Sequence, residues 1–348
     1  MFVTMLAMMF TGQRVFGAIG FVSAAAALLL WGDGAIEMPY MAAWKLFKWY
    51  PMLTLPLFIY MGFMISESGI ANDLYKMFHV YFGGVRGGLA IGTMGMMVAI
   101  SAMNGLSVAG MAIGATIALP EMLRRNYDKR MITGVVQAGS SLGILIPPSI
   151  MLVVMGPIME IPVTDLFAAA IIPGILLALL YAGYTTLRCW QNPSLGPVLP
   201  VEMRATSMKQ VWIEFFLGLV PPAALVFAAL GSILFGFATP TEAAGCGAMG
   251  AMLLTLAYKK LTFRKLQGVL VKTLEITALI MVLVAASNFF GSVFSRLGTP
   301  MVLTDFLLGL EVNKYFILFI VMAMIFLLGW PLEWVPIVLI IIPIILPL

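Results

Sequence analysis

Two adjacent prolines, Pro147 and Pro148, sit inside the uncharged run Gly139 to Met159, with Ser140, Ser141 and Ser149 around them. Proline has no backbone N–H and breaks an α-helix. The carbonyl oxygens of the preceding turn therefore lose their donors. Free carbonyls and serine hydroxyls in a hydrophobic setting coordinate a hard cation such as Na⁺, and a half-helix that restarts after the break attracts an anion. Gly139 and Gly143 allow close approach and add backbone ligands. Asn104, Gly105 and Ser107 interrupt a second uncharged run, and should face the break. Glu333 lies between hydrophobic halves, where a carboxylate is expensive and points to function or lines a wet mouth. The chemistry on offer is coordination. There is no HExxH and no intramembrane aspartate pair, and the only histidine, His79, lies outside the hydrophobic runs.

Composition places these groups in a bilayer. The chain has 348 residues, 62% hydrophobic and 10% charged, against about a quarter charged in soluble domains. Its mean hydropathy is +1.07. The fold class expected is an all-α polytopic membrane protein, because a spanning chain must satisfy its backbone internally. The net charge of +4 carries no nucleic-acid signal; the bases sit in short loops, where they set orientation. Cys189 and Cys246 show neither disulfide nor metal spacing. The N-terminal residues lack a secretory signal and should run directly into the first span.

Charge-free runs mark the elements. Spans are expected at 15–31 and 52–66, with an interfacial helix between them carrying aromatics and lysines. Gly87 to Pro120 is uncharged over 34 residues, too long for one span and too short for two. A re-entrant hairpin fits, with its tip at Asn104-Gly105-Leu106-Ser107. A broken helix follows at 131–159, then spans at 166–187, 215–238, after 239–245, 276–295, 315–329 and 335–348. Glu242 in "TPTEAAG" should open its helix at the interface, where a carboxylate suits the N-terminus. "RRNYDKR", the linker 188–210 and "KKLTFRKLQGVLVK" should be cytoplasmic; Lys45 and Lys48 then fall outside, a mild violation. The organisation expected is 1–86 (first spans), 87–165 (hairpin and broken helix, the transport core), 166–275 (scaffold spans) and 276–348 (second span and hairpin).

"MISESGIANDLYKMFHVYFGG" at 64–84 resembles "VFSRLGTPMVLTDFLLGLEVN" at 293–313, and Gly69 aligns with Gly298 at an offset of 229. Gly329-Trp330-Pro331 then matches the first tip, and Leu346-Pro347 matches Leu119-Pro120. An interfacial helix is expected before each copy, "AAWKLFKWYP" before the first and "RKLQGVLVKTLE" before the second. The copies start on opposite sides of the membrane in this orientation, an inverted repeat. The same offset sends the double proline to about position 374, past Leu348. On this reading the chain is C-terminally truncated.

The chain resembles the large membrane subunit of tripartite ATP-independent periplasmic (TRAP) transporters, the DctM-like family. The resemblance covers nearly all of it and rests on "PLFIYMGFMISESGIANDLY", "GGVRGGLAIGTM", "IALPEMLRRNYDKR", "GSSLGILIPPSIMLVVMG", "LFAAAIIPGILLAL", "ATPTEAAGCGA" and "PIVLIIIPIILPL". It implies an elevator-type secondary importer in the bacterial inner membrane, with Na⁺ as coupling ion and no other cofactor. It implies a small membrane subunit, a periplasmic solute-binding protein and an organic acid substrate. By family pattern the site carries onto 104–109, 139–141 and 143–149, including Pro147 and Pro148, and onto 329–334, including Gly329, Pro331 and Glu333. Na⁺ is expected at Ser107, Gly139, Ser140 and Ser141. The first tip departs from the family's Ser-Gly-Ser-Ser-like pattern.

Three other readings compete. "GLSVA" at 105–109 resembles an intramembrane serine-protease motif, but such a serine needs a base beside it. "TEAAG" resembles the coupling motif of ATP-driven importers, yet here it opens a span on the outer side. A binding-protein-independent Na⁺/anion symporter shares the architecture.

Overall fold

A computed structural model describes residues 1–105, 107–198, 209, 212–213, 215–216, 219–299, 301–302, 309 and 313–342. The described elements are helices and turns. Among the described residues, three helical stretches, Lys129–Met159, Val163–Gln191 and Phe263–Arg296, are long and apolar enough to cross a membrane. The chain is a multi-pass integral membrane protein.

Two units divide the chain. The hairpin unit comprises Leu53–Val153 and Pro162–Leu274. It begins with α4 (Thr54–Glu67) and α5 (Ile70–Phe82), joined at Gly69 with φ +85°. The hairpin follows as α6 (Gly88–Asn104) and α7 (Ser107–Ile113), then a π-helical turn at Gly114–Ala118 and α8 (Leu119–Arg124). The broken helix is α9 (Lys129–Leu145) and α10 (Ile150–Met159), the last part of which belongs to the other unit. Next come α11 (Val163–Gln191), α12 (Val220–Leu234) and α13 (Pro240–Ala257). Of the linker 188–210, residues 188–191 finish α11, and 199–208 and 210 lie outside the described residues.

Small residues let these helices approach, as interfaces in lipid require. On α13 the buried face is Ala243, Ala244, Gly247, Ala248 and Ala251. A Cβ at Gly247 would stand 2.7 Å from Met61 Sδ on α4. Nearby, the Thr255 hydroxyl donates to the Met64 carbonyl at 3.2 Å. Glu242 opens α13 in a capping box: its carboxylate accepts from the Thr239 N–H at 2.8 Å, and its own N–H donates to the Thr239 hydroxyl at 3.3 Å. Glu242 thus opens its helix, as expected from sequence.

The terminal unit comprises Met1–Met52, Val154–Ile161 and Glu275–Leu348. Here the sequence reading needs correction at the start. The first residues form their own helix, α1 (Phe2–Phe10), ended at Gly12 with φ +85°, before α2 (Val15–Ala26) continues as a π-helix through Trp31. Helix α3 (Glu37–Phe47) buries Met38, Ala42 and Leu46 on one side and exposes Tyr40 and Trp44, which stack at 6.1 Å. A helix therefore forms where an interfacial one was expected, with its aromatics on the exposed side. Its buried side packs with Ala26, Ala27, Phe289 and Val293, and Asn288 Nδ2 donates to the Ala42 carbonyl at 2.9 Å.

A second correction concerns α14 (Phe263–Arg296). Sequence suggested an interfacial helix followed by a span. The two are one continuous 34-residue helix, because no proline interrupts it. Its start is held in the hairpin unit: Lys265 Nζ donates to the Glu67 carbonyl at 2.9 Å, and Lys272 Nζ lies 3.6 Å from the Glu67 carboxylate. After α14 comes Gly298 with φ +73°. Then α15 (Lys314–Leu328) leads to a turn, the short α16 (Trp334–Pro336) and a π-helix at Ile337–Ile341. Residues 343–348 lie outside the described residues.

Candidate functional site

The break in α9–α10 follows directly from the two prolines. Helix geometry assigns the carbonyls of residues 143 and 144 to the N–H groups of 147 and 148, and neither proline has one. Helix α9 duly ends at Leu145. Ile146 turns extended, at φ −81° and ψ 123°, as a residue before proline must. The Pro147–Pro148 bond is cis. Ser149 repairs half of the damage: its hydroxyl donates to the Ile144 carbonyl, and its own carbonyl accepts from Val153 N at 3.2 Å, starting α10. Pro147, Pro148 and Ser149 are all buried.

The hairpin tip is seated on this break. Gly105 has φ +61°, a left-handed conformation that glycine adopts without penalty. A Cβ there would stand 2.7 Å from the Pro148 carbonyl oxygen and 3.4 Å from Ile150 N. Only a residue without a side chain lets the two backbones approach so closely. Ser107, partly buried, opens α7 immediately after the tip. Leu106 and the Asn104 side chain lie outside the described residues.

About two turns earlier, Gly139 and Ser140 are buried on α9 and Ser141 is exposed. The hydroxyls of Ser140 and Ser141 donate to the carbonyls of Gln137 and Ala138 at 2.9 and 2.8 Å. Their protons are thus turned toward the helix, which leaves oxygen lone pairs as acceptors. Gly139 is a contact residue: a Cβ on it would stand 2.6 Å from Met97 Cβ. Met97 also meets Gly114, where a Cβ would lie 2.8 Å from its Sδ. One methionine therefore fills a slot between α9 and the return arm of the hairpin. Nothing local in the sequence distinguishes Met97 from the other methionines.

A further cluster was missed by sequence reasoning. Gly87 N donates to the Gly196 carbonyl at 2.9 Å. The Tyr127 hydroxyl donates to the Pro197 carbonyl at 3.1 Å and accepts from Leu89 N at 3.3 Å. Burial pushes the Tyr127 phenol up to about 12, so it remains a donor. The buried Cys189 sulfur fits against Gly87 and Gly196; a Cβ on either would stand under 3.0 Å from it. These contacts pin the start of the linker to the base of the hairpin.

Gly329, Pro331 and Glu333 belong to the terminal unit. Gly329 closes α15, and Glu333 immediately precedes α16 in extended conformation with an exposed side chain that makes no cap bond. The structure thus brings Gly105, Pro148 and Ile150 together in one unit, and sets Gly139 and Ser140 about two turns before the break. No group of three or more metal-ligating His, Cys, Asp or Glu occurs among the described residues.

Comparison with known proteins gives this geometry a context. The family model for the tripartite ATP-independent periplasmic transporter, DctM component, matches residues 2–348. The C4-dicarboxylate TRAP transporter large permease protein DctM of Pseudomonas aeruginosa is 29% identical, over 94% of this chain and 75% of that protein. The 2,3-diketo-L-gulonate TRAP transporter large permease protein YiaN of Escherichia coli is 27% identical, over 86% and 69%. The isethionate TRAP transporter permease protein DctMQ of Oleidesulfovibrio alaskensis is 27% identical, over 95% of this chain, which spans about half (52%) of its length. These relatives are permeases, and the chain is not an enzyme. It belongs to the DctM component family of the tripartite ATP-independent periplasmic transporters.

Proposed function

We propose that the chain is the large permease subunit of a Na⁺-driven importer of organic acids in the bacterial inner membrane. It works with a small membrane subunit and a periplasmic solute-binding protein that delivers the substrate. The observation that carries this reading is the seating of the Gly105 tip on the Pro148 break. Two discontinuous backbones meeting in a hydrophobic unit need a ligand for their polar groups, and broken helices of this kind hold coupling ions and substrates. In this reading the Gly139 backbone and the hydroxyls of Ser107, Ser140 and Ser141 take Na⁺. The start of α10 at Ser149 and Ile150 faces the anionic end of the substrate. The relatives named above carry C4-dicarboxylate, isethionate and diketogulonate, all organic anions.

An elevator motion of inverted repeats belongs to the same proposal. Gly69 and Gly298 share the left-handed conformation. Both hairpin segments also run helix, tip, helix, π-helical turn. Gly329, Pro331 and Glu333 are then the second tip. The test is uptake of radiolabelled succinate by proteoliposomes holding the chain and its small subunit, with the binding protein outside. Uptake should need both an inward Na⁺ gradient and the binding protein, and Ser140→Ala with Ser141→Ala should raise the Na⁺ concentration for half-maximal rate. Uptake that needs neither would refute the mechanism.

A further inference from the structure

A cavity of about 580 Å³ opens in the hairpin unit between the first turns of α9 and the last turns of α11. Its polar lining is Asp128, Arg130, Tyr181, Tyr184, Thr185 and Arg188. Two of these groups are already engaged. The Asp128 carboxylate accepts from the backbone N–H groups of Arg130 and Met131 at 3.0 and 3.1 Å, as the N-cap of α9. The Thr185 hydroxyl donates to the Tyr181 carbonyl at 2.8 Å. The arginines are not engaged: among the described residues no carboxylate lies within 4.0 Å of either guanidinium. Two guanidiniums sharing one cavity favour an anion there, and their planar forks match phosphate oxygens.

The wall of α11 indicates which anion. Leu176, Leu180, Tyr184 and Arg188 recur every four residues, so they form one ridge along the helix. All four are exposed, and Trp190 beside them is exposed as well. The ridge passes from aliphatic to aromatic to cationic, which is the order of a membrane interface read outward from the hydrocarbon. Both helix ends at the cavity carry bases expected on the cytoplasmic side, where anionic headgroups attract Lys and Arg and basic pockets between helices bind them. A free phosphate or carboxylate would use the arginines and leave the aliphatic track uncovered.

We propose that this cavity binds an anionic phospholipid, its phosphate held between Arg130 and Arg188 and an acyl chain lying along Leu180 and Leu176. The site is separate from the tip and the break, and the proposal does not depend on the transport mechanism. Native mass spectrometry of the full chain in detergent tests it, with dioleoyl phosphatidylglycerol, dioleoyl phosphatidylcholine, inorganic phosphate and succinate added in separate arms. Phosphatidylglycerol should be retained over phosphatidylcholine. Arg130→Gln and Arg188→Gln should each weaken retention about fivefold, and about 25-fold together. Lys260→Gln with Arg264→Gln, an exposed basic pair elsewhere, should leave it unchanged. Arg188→Lys keeps the charge and should keep most of the preference, which separates loss of the site from loss of the fold. Equal retention of the two lipids, or an unchanged double glutamine variant, would overturn the proposal. Displacement of phosphatidylglycerol by millimolar phosphate or succinate would also overturn it, and would assign the cavity to a free anion.

Discussion

Gly105→Ala separates a seated tip from an ordinary hairpin turn. Two costs follow from the structure. The residue is at φ +61°, and a left-handed conformation costs an L-residue about 1–2 kcal/mol. The new methyl carbon would also stand 2.7 Å from the Pro148 carbonyl oxygen. A backbone atom cannot swing aside as the end of a side chain can, so the break must move, at about 1–3 kcal/mol for such overpacking. The sum is about 2–5 kcal/mol, which lowers the seated fraction roughly 30-fold to several thousand-fold. Na⁺-dependent uptake in proteoliposomes should fall accordingly, while the protein still inserts and elutes as a single species. Gly105→Asn divides the two costs, because asparagine tolerates the left-handed region and still carries the Cβ. If Asn restores transport, strain was the cause; if Asn fails like Ala, contact with Pro148 is. Gly268→Ala on α14, with nothing within 4 Å of its Cβ, serves as control and should be silent. Wild-type uptake by Gly105→Ala would refute the seating argument.

Other perturbations test the surrounding frame. Gly139→Ala should lower the melting temperature more than Gly114→Ala, since the first meets Met97 at its fixed Cβ and the second chiefly at its flexible sulfur. Thr239→Ala removes the capping-box acceptor at the start of α13 and should cost about 1 kcal/mol, read as a lower denaturation midpoint. Burial pushes the Glu121 carboxyl up, but its hydrogen bonds to Arg124 and Arg125 outweigh this and hold its pKa below the ordinary 4.5. Its contribution is therefore complete above pH 4.5 and lost as pH falls through the lower folded value. The stability difference between wild type and Glu121→Gln should close over that acid range and not above it.

What could be read from the sequence was whatever a residue does to its own neighbours. Two prolines cancel two named carbonyl partners wherever they sit, so the break at 146–149 was legible without a fold. Glu242 opens its helix through a bond that reaches only three residues, to Thr239, so that reading too needed no fold. The reach of α14 was misjudged because the lysines of its first turns suggested a helix lying on the membrane. Neither proline nor a pair of glycines stops it, and Lys265 and Lys272 are used instead to grip Glu67.

The illegible parts depend on partners far away in the chain. Met97 looks like any of the 28 methionines until Gly114 and Gly139 are seen on either side of it. Gly87 and Gly196 are separated by more than a hundred residues, and only the fold shows that Cys189 needs the space both leave. The same holds at the site. Gly105 reads as a turn residue, and a turn would have accepted asparagine. The structure adds a second constraint, the Pro148 carbonyl more than forty residues on. The Asn104-Gly105-Leu106-Ser107 tip has the one property that seating requires, an absent side chain at 105. Ligand choice would then rest with Asn104 and Ser107, and seating with Gly105. Ser107→Ala should accordingly alter Na⁺ dependence with the protein's stability preserved, the reverse of the pattern expected for Gly139→Ala.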